Sequence, residues 1–212
     1  MTMSQIQFNI HSYWRAGTGR GGGALLDELV HRDSYGLPCL PGRTVKGLLR
    51  DAVFRAEQWG HIPSGTTFCW FGSNALEPGE TEIRLETKAG ALGFSDAVLD
   101  QELKTYLMSL LTSSFGAKKA KGKELCQGFF HHIYATAIEH QTGSAKDQSL
   151  RGMEVTIPLR LTANLYTLQA KPLQPNQSMD DWQGTLAKCL PLIRAVGTSR
   201  SRGLGRVSVK LI

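Results

Sequence analysis

The chain has no long apolar run. No stretch reaches the about 18–20 consecutive apolar residues that a membrane-spanning helix needs. The first twenty residues also lack the apolar block of a secretory signal peptide. We therefore expect a cytoplasmic protein without a membrane partner. At 212 residues, 41% hydrophobic and 20% charged, the sequence can bury the core of one domain, residues 1–212.

Cysteine is scarce and scattered. The four cysteines are Cys39, Cys69, Cys126 and Cys189, and no two form a CxxC pair. This spacing argues against a zinc module or a disulfide scaffold and favours reduced thiols. His131 and His132 are adjacent, so on a strand their rings point to opposite faces. We interpret both as structural or surface residues and not as metal ligands.

Acidic residues are the minority charge. The chain has 24 Lys and Arg against 18 Asp and Glu, a formal net charge of +6. Such a balance favours a polyanionic partner. Four of the lysines lie close together in residues 117–123, AKKAKGK, and contribute to this positive charge. We interpret this run as a solvated loop.

The sequence from Asp27 to Arg50 predicts an extended segment, a turn and a helix. Pro38 and Pro41 push the residues before them into extended geometry, and Pro41-Gly42 turns the chain. Apolar residues then recur at helical spacing from Val45 to Ala56. A helix N-terminus favours anions. The candidate anion-binding residues here are Gly42, Arg43, Thr44, Lys46 and Arg50, with a solvated basic face as the alternative.

Two glycine-rich loops are further candidates for close approach to a ligand. The first, residues 17–23, offers Arg20 and Gly22, and a plain flexible loop explains it equally well. The second holds three glycines and three arginines near the C-terminus, more glycines than a turn should need. Its candidate binding residues are Ser199, Arg200, Arg202, Gly203, Gly205 and Arg206. We predict that this turn and the one at Gly42 meet in space as a cationic cradle for a ribose-phosphate chain.

The order of elements predicts an α+β fold. Alternation of apolar residues indicates strands near 6–12 and 155–165, a short strand at Leu92–Phe94 and a closing strand at the C-terminus. Helical spacing indicates helices ending near Trp59 and near Leu111, the second capped by Ser95-Asp96, and a last helix disturbed by Pro191. This order fits a ferredoxin-like (RRM-like) antiparallel sheet with helices on one face and insertions at 60–95 and 117–154. Residues 138–154 form either a projecting hairpin tipped near Gly143 or a mobile loop.

Several motifs resemble those of the RAMP superfamily, the RNA-binding proteins of CRISPR effector complexes. Residues 40–50, LPGRTVKGLLR, resemble its "PG-small-hydroxyl-x-KG-x-x-R" signature, and residues 198–207 resemble its C-terminal glycine-rich loop. Residues 93–97, GFSDA, and the pattern from Thr142 through Arg151 to Val155 resemble the small backbone subunit of type III complexes.

The resemblance implies several copies of the chain in a filament along one guide crRNA, together with target RNA and other effector subunits. It makes 138–154 the candidate thumb hairpin, which inserts between nucleotides of the guide–target duplex, with Lys146 and Arg151 as RNA contacts. Binding through phosphates carries no sequence information, so guide–target pairing would read the sequence.

The resemblance also implies an endoribonuclease that cleaves bound target RNA. Asp27 lies six residues before Asp33 of an "R-D" motif, where the family's catalytic aspartate falls. A carboxylate there would position Mg²⁺ or Mn²⁺, or assist removal of the 2′-hydroxyl proton. Asp33 is expected to shape the loop. The alternatives are surface carboxylates at Asp27 and Glu28 in a non-catalytic crRNA scaffold, which needs no cofactor. A third is a guide-processing endoribonuclease using His11 or His31.

Overall fold

A four-stranded antiparallel sheet forms the centre of the protein. The computed structural model describes residues 3–23, 26–73, 88–168 and 181–212. The strands in this part of the chain are β1 (Met3–Ile10), β2 (Leu92–Phe94), β3 (Phe130–Ala135), β4 (Arg151–Thr156), β5 (Arg160–Thr167) and β6 (Val207–Leu211). The central sheet has the order β2-β5-β1-β6 with antiparallel neighbours throughout. This is the ferredoxin-like order, so the predicted fold class is confirmed.

Helices pack around this sheet, and the first of them does so through the apolar face that the sequence predicts. The helices in the described ranges are α1 (Gly42–Gln58), α2 (Thr66–Phe71), α3 (Gln101–Leu111), α4 (Gly116–Gln127) and α5 (Trp182–Cys189). Val45, Leu49 and Val53 of α1 are completely buried, because their spacing puts them on one side of the helix. On β1, Ile6 and Phe8 alternate with more exposed residues and reach the same core.

The predicted strand at 155–165 is in fact two strands in two different sheets. β4 ends at Thr156 and pairs with β3, whereas β5 begins at Arg160 and joins the central sheet. Pro158 lies between them and has no N–H for a strand ladder. The alternation continues across the break, since Val155 and Leu161 are both completely buried.

The lysine run, predicted as a loop, forms α4. Lysine and alanine are favourable helix residues, and α4 packs closely on α3. A Cβ at Gly122 would lie 3.0 Å from Leu110 Cβ. The predicted cap of α3 is also wrong: Asp100 caps the helix by accepting from the Glu102 amide at 3.0 Å.

The segment between β3 and β4 forms a hairpin, as one of the two interpretations predicts. Ile138 pairs with Ala145, and the Glu139 amide donates to the Ser144 carbonyl at 2.9 Å. Gly143 makes the turn with φ of 67°. The hairpin is exposed along nearly its whole length.

The sequence also predicts a surface turn at Pro78-Gly79 and a surface link marked by Pro172 and Pro175, and both lie outside the described residues. The limits of the domain and of its insertions at 60–95 and 117–154 stay predictions. None of the helices described is both long and apolar enough to cross a membrane.

All four cysteines are free and buried. Burial raises the pKa of each thiol, and it is the largest of the causes that raise the pKa of Cys39 to about 12. Their thiols therefore remain protonated at neutral pH and pack as small apolar groups.

Glu57 joins the end of α1 to the start of α2. Its carboxylate accepts from the Gly65 amide at 2.7 Å, and from the Thr67 amide and hydroxyl at 2.8 and 2.6 Å. Burial acts to raise the pKa of Glu57, but these hydrogen bonds outweigh it, so the pKa lies below its ordinary value of 4.5.

We expect Glu57→Gln to lower the free energy of unfolding by about 1–3 kcal/mol at pH 7, because the hydrogen bonds lose a charged acceptor. A lowered folded pKa stabilises the protein above the unfolded pKa, and this contribution is lost as pH falls through the folded value. The gap between wild type and variant should therefore shrink below about pH 4. Urea denaturation at several pH values measures it, and a gap independent of pH would contradict this role.

Candidate functional site

The glycine-rich turn, residues 197–206, is built onto the segment that follows β1. The Thr198 amide donates to the Arg15 carbonyl at 2.9 Å, and the Gly205 amide donates to the Tyr13 carbonyl at 2.7 Å. Gly197 and Gly205 have φ of 80° and 72°, and Gly203 has φ of 86°. All three glycines therefore have backbone conformations that favour glycine, and the number of glycines does not by itself indicate a ligand site.

The segment carrying Asp27 is held against the edge of β4. The Asp27 amide donates to the Gly152 carbonyl at 2.9 Å, and the Gly152 amide returns a bond to Asp27 Oδ2 at 3.0 Å. The Glu154 amide donates to the Glu28 carbonyl at 3.0 Å, and the buried Glu154 carboxylate accepts from the Val30 amide at 3.1 Å. The segment is therefore docked and strand-like, and Asp27 is exposed on it.

The glycine-rich turn and the Asp27 segment line one cleft of about 430 Å³, which we call the Asp27 cleft. Its lining residues are Arg15, Asp27, Glu28, Ala135, Thr136, Ala137, Ser149, Arg151, Gly152, Met153, Ser199 and Arg202. Four residues predicted from sequence, Asp27, Arg151, Ser199 and Arg202, meet here. They come from three distant parts of the chain, so only the fold brings them together.

Arg15 is a charged residue of this cleft that the sequence analysis did not predict. It is only 5% exposed, its Nε donates to Thr198 Oγ1 at 2.8 Å, and its guanidinium pairs with the Glu28 carboxylate. Burial lowers the pKa of Arg15 from its ordinary value. The sequence did contain a signal that could have identified Arg15, because this arginine lies between the apolar residues Trp14 and Ala16 directly after a predicted strand.

Other predicted binding residues lie elsewhere. Arg200 faces a second groove of about 490 Å³, whose lining includes Arg55 and Arg194. Arg206 and Gly203 are exposed on the turn, Lys146 is exposed on the hairpin, and Arg20 is exposed on the loop at 17–23. In that loop the Gly22 amide donates to the Leu26 carbonyl at 2.7 Å.

The start of α1 differs from the predicted anion site. Gly42 is buried, and its amide donates to Asp96 Oδ1 at 2.6 Å. A Cβ at this position would lie 2.9 Å from the Phe94 carbonyl oxygen. Gly42 therefore permits close packing, and its amide already has a carboxylate as hydrogen-bond partner.

The cations of α1 have separate environments. Arg50 reaches back to the Gly72 and Ser73 carbonyls, at 3.2 and 3.4 Å, and so connects α1 to the end of α2. Arg43 is exposed, while Thr44 and Lys46 are half-buried.

The groove that the glycine-rich turn shares with α1 does not include Gly42, so it is not the predicted cradle. The glycine-rich turn meets α1 further along the helix, where Leu48 and Asp51 share a groove with Arg200. The start of α1 instead packs against the Phe94–Asp96 segment.

Asp33 shapes the loop before α1, as predicted. Its Oδ1 accepts from the Tyr35 and Leu37 amides at 2.9 and 3.0 Å, and its Oδ2 lies 3.3 Å from Lys104 Nζ. These bonds close the turn that leads into Leu37–Leu40.

The carboxylates of the cleft do not by themselves form a complete site for a divalent ion. Within the described ranges no cluster of three or more His, Cys, Asp or Glu could hold a metal. Glu28 is paired with Arg15, and Asp27 shares its cleft with three arginines. Mg²⁺ is usually held by one or two carboxylates together with substrate phosphates and water, so Asp27 would contribute to such a site only with bound RNA supplying further oxygen ligands.

The fold and this site define a ferredoxin-like domain with a glycine-rich turn before its last strand, an inserted hairpin and an arginine-lined cleft. The chain belongs to the RAMP superfamily, whose family model matches residues 7–208. A comparison with curated proteins returned no match.

Solved structures share the fold. A chain of the Type III-B Cmr-beta complex bound to cognate target RNA, solved by cryo-EM, is similar with a TM-score of 0.68 and 13% identity. The match covers 100% of this chain and 97% of that one. A chain of the same complex in its apo state has a TM-score of 0.64 and 13% identity, with coverage of 99% and 97%.

Proposed function

We propose that this protein is a crRNA-binding backbone subunit of a type III-like CRISPR effector complex, present in several copies, that cleaves bound target RNA at Asp27. It would act in the cytoplasm, where its four free thiols stay reduced. Membership of the RAMP superfamily supports this, as does the likeness to Cmr-beta chains, one of which is in a complex bound to target RNA.

The observation that carries the proposal is the composition of the Asp27 cleft. The exposed Asp27 carboxylate lies in a concave surface with Arg15, Arg151 and Arg202. Arginine side chains suit phosphate groups, because the guanidinium offers paired donors in a plane. A carboxylate among such groups can reach the sugar of a nucleotide whose phosphates they hold.

The chemistry follows from these groups. Asp27 would accept the proton of the scissile 2′-hydroxyl, whose oxygen then attacks the adjacent phosphorus. The bond to the 5′-oxygen breaks, leaving a 2′,3′-cyclic phosphate and, once protonated, a free 5′-hydroxyl. The guanidinium groups of Arg151 and Arg202 would stabilise the negative charge that develops on the phosphate. Addition of EDTA, Mg²⁺ or Mn²⁺ tests whether a divalent ion takes part.

RNA binding is tested by Arg202→Ala. We expect the affinity for guide RNA to fall about tenfold with little base preference, and the salt slope to fall by about one, because one phosphate contact is lost. Lys210→Ala, which removes an exposed cation from β6, is the matched control. Filter binding at several salt concentrations measures both, and equal effects of the two changes would contradict the cleft as the RNA site.

A non-catalytic crRNA scaffold is the second candidate. The observation that favours it is the bond from the Gly152 amide to Asp27 Oδ2, which gives this carboxylate a structural role. A guide-processing endoribonuclease is a weaker alternative, since His11 bonds Ser208 Oγ at 2.8 Å and is not among the residues that line the Asp27 cleft.

A further inference from the structure

We propose that Arg15 is a positioning residue, which fixes the Asp27 segment and the glycine-rich turn relative to each other so that both contact the same RNA. The inference rests on the proposed function for its catalytic consequence. Its structural claim, a link between two chain segments through one guanidinium, can be tested separately.

The contacts of Arg15 join the two walls of the cleft. On one side, the turn is bound twice, since the Thr198 amide donates to the Arg15 carbonyl at 2.9 Å and Arg15 Nε donates to Thr198 Oγ1 at 2.8 Å. On the other side, the guanidinium pairs with the carboxylate of Glu28, the neighbour of Asp27. Gly197 belongs to the same contact between Arg15 and the turn, because a Cβ at this position would lie 2.2 Å from the Arg15 carbonyl oxygen.

The burial of Arg15 indicates that this position requires an arginine. The Arg15 side chain is 6% exposed, whereas that of Glu28 is 53% exposed. A buried charge is costly unless it is paired, and a pair of this kind often contributes less to stability than apolar residues would. A purely structural position would therefore be filled equally well by an apolar side chain, while a guanidinium fixes the direction of two partners at once.

Loss of the Arg15 contacts should therefore change the cleavage rate and the RNA affinity to different extents. The two bonds between Asp27 and Gly152 do not involve Arg15, so they should still hold the segment on β4, although less tightly, when the pair with Glu28 is lost. Its alignment to the turn, however, depends on Arg15. Because small misplacements of a catalytic group cost about a hundredfold in rate, the cleavage rate should respond much more than the affinity.

The experiment uses the assembled complex with guide RNA and labelled target RNA. The variants are Glu28→Gln and Thr198→Val, which each remove one anchor of Arg15 and leave Asp27 and Arg202 unchanged. Glu124→Gln, at an exposed position on α4, is the matched control. We expect single-turnover cleavage to fall about 10–100-fold in both variants, with target affinity within about threefold of wild type.

The double variant provides a sharper test. Because both changes act through Arg15, their effects on rate should be strongly non-additive. Additive effects, or a loss of affinity as large as the loss of rate, would overturn the inference.

Hydrogen exchange separates this inference from the proposed function. Thr198→Val should speed exchange of the Asp27 and Val30 amides about tenfold, although the change lies on the other wall of the cleft. If wild type binds RNA without cleaving it, the proposed catalysis fails, and the exchange result still decides whether Arg15 links the segments. Unchanged exchange at Asp27 and Val30 would overturn the inference whether or not the complex cleaves RNA.

Discussion

Asp27→Asn is expected to lower the rate of target RNA cleavage by about 10²–10⁴-fold, while target affinity changes little. Asparagine keeps an oxygen for the Gly152 amide, which donates to Asp27 Oδ2 at 3.0 Å, and removes the charge needed to accept a proton. Single-turnover cleavage of end-labelled target RNA in the assembled complex measures the rate. The product ends, 2′,3′-cyclic phosphate and 5′-hydroxyl, report the reaction type.

Asp27→Ala separates the two roles of this side chain. Alanine removes both the charge and the acceptor, so it should abolish cleavage and also loosen the Asp27 segment from β4. If Asp27→Asn retains full cleavage and only Asp27→Ala is impaired, the carboxylate has a structural role alone. Full cleavage by both variants would leave the non-catalytic scaffold, with cleavage carried out by another component.

Gly205→Ala is expected to lower the free energy of unfolding by about 2–5 kcal/mol. The position has φ of 72°, which costs an L-residue about 1–2 kcal/mol. A Cβ would also lie 1.9 Å from the Val196 carbonyl oxygen, so the backbone must move at a further cost of about 1–3 kcal/mol. The shift would displace Arg202, and RNA affinity should fall with stability.

Gly203→Ala is the control for this substitution. It has φ of 86° on the same turn, yet no atom lies within 4 Å of its added Cβ. We therefore expect a loss of about 1 kcal/mol, from backbone strain alone. Urea denaturation of the purified chain compares the two, and equal losses would show that close packing at Gly205 does not matter.

Local patterns predicted the framework because they depend on neighbours along the chain. The alternation at Ile6–Ile10 predicts a half-buried strand, and the helical spacing from Val45 to Ala56 predicts α1; both are confirmed. The same kind of pattern failed at 155–165. Alternation cannot report which sheet a strand joins, so the break at Pro158 divides one apparent strand between two sheets.

Predictions based on charge and glycine content were less reliable. The lysines of 118–123 indicated a loop, but packing of Gly122 on Leu110 stabilises a helix there. Each glycine of the C-terminal turn takes a left-handed backbone conformation that the turn itself requires, so the prediction that this turn binds a ligand rests on its arginines and not on its glycines. Composition records which residues are present and not which partner they meet.

The sequence by itself determined the ferredoxin-like order of strands and helices and the glycine-rich turn, since these follow from periodicity and short motifs, and its resemblance to the RAMP superfamily supplied Asp27 as a candidate. Only the tertiary structure decided what surrounds them. The Asp96 carboxylate accepts a hydrogen bond from the Gly42 amide, and Arg15 contacts both Thr198 and Glu28. Asp27 and Arg202 line the same cleft. These contacts join residues far apart in the chain, and their geometry is set by how the sheets and helices pack.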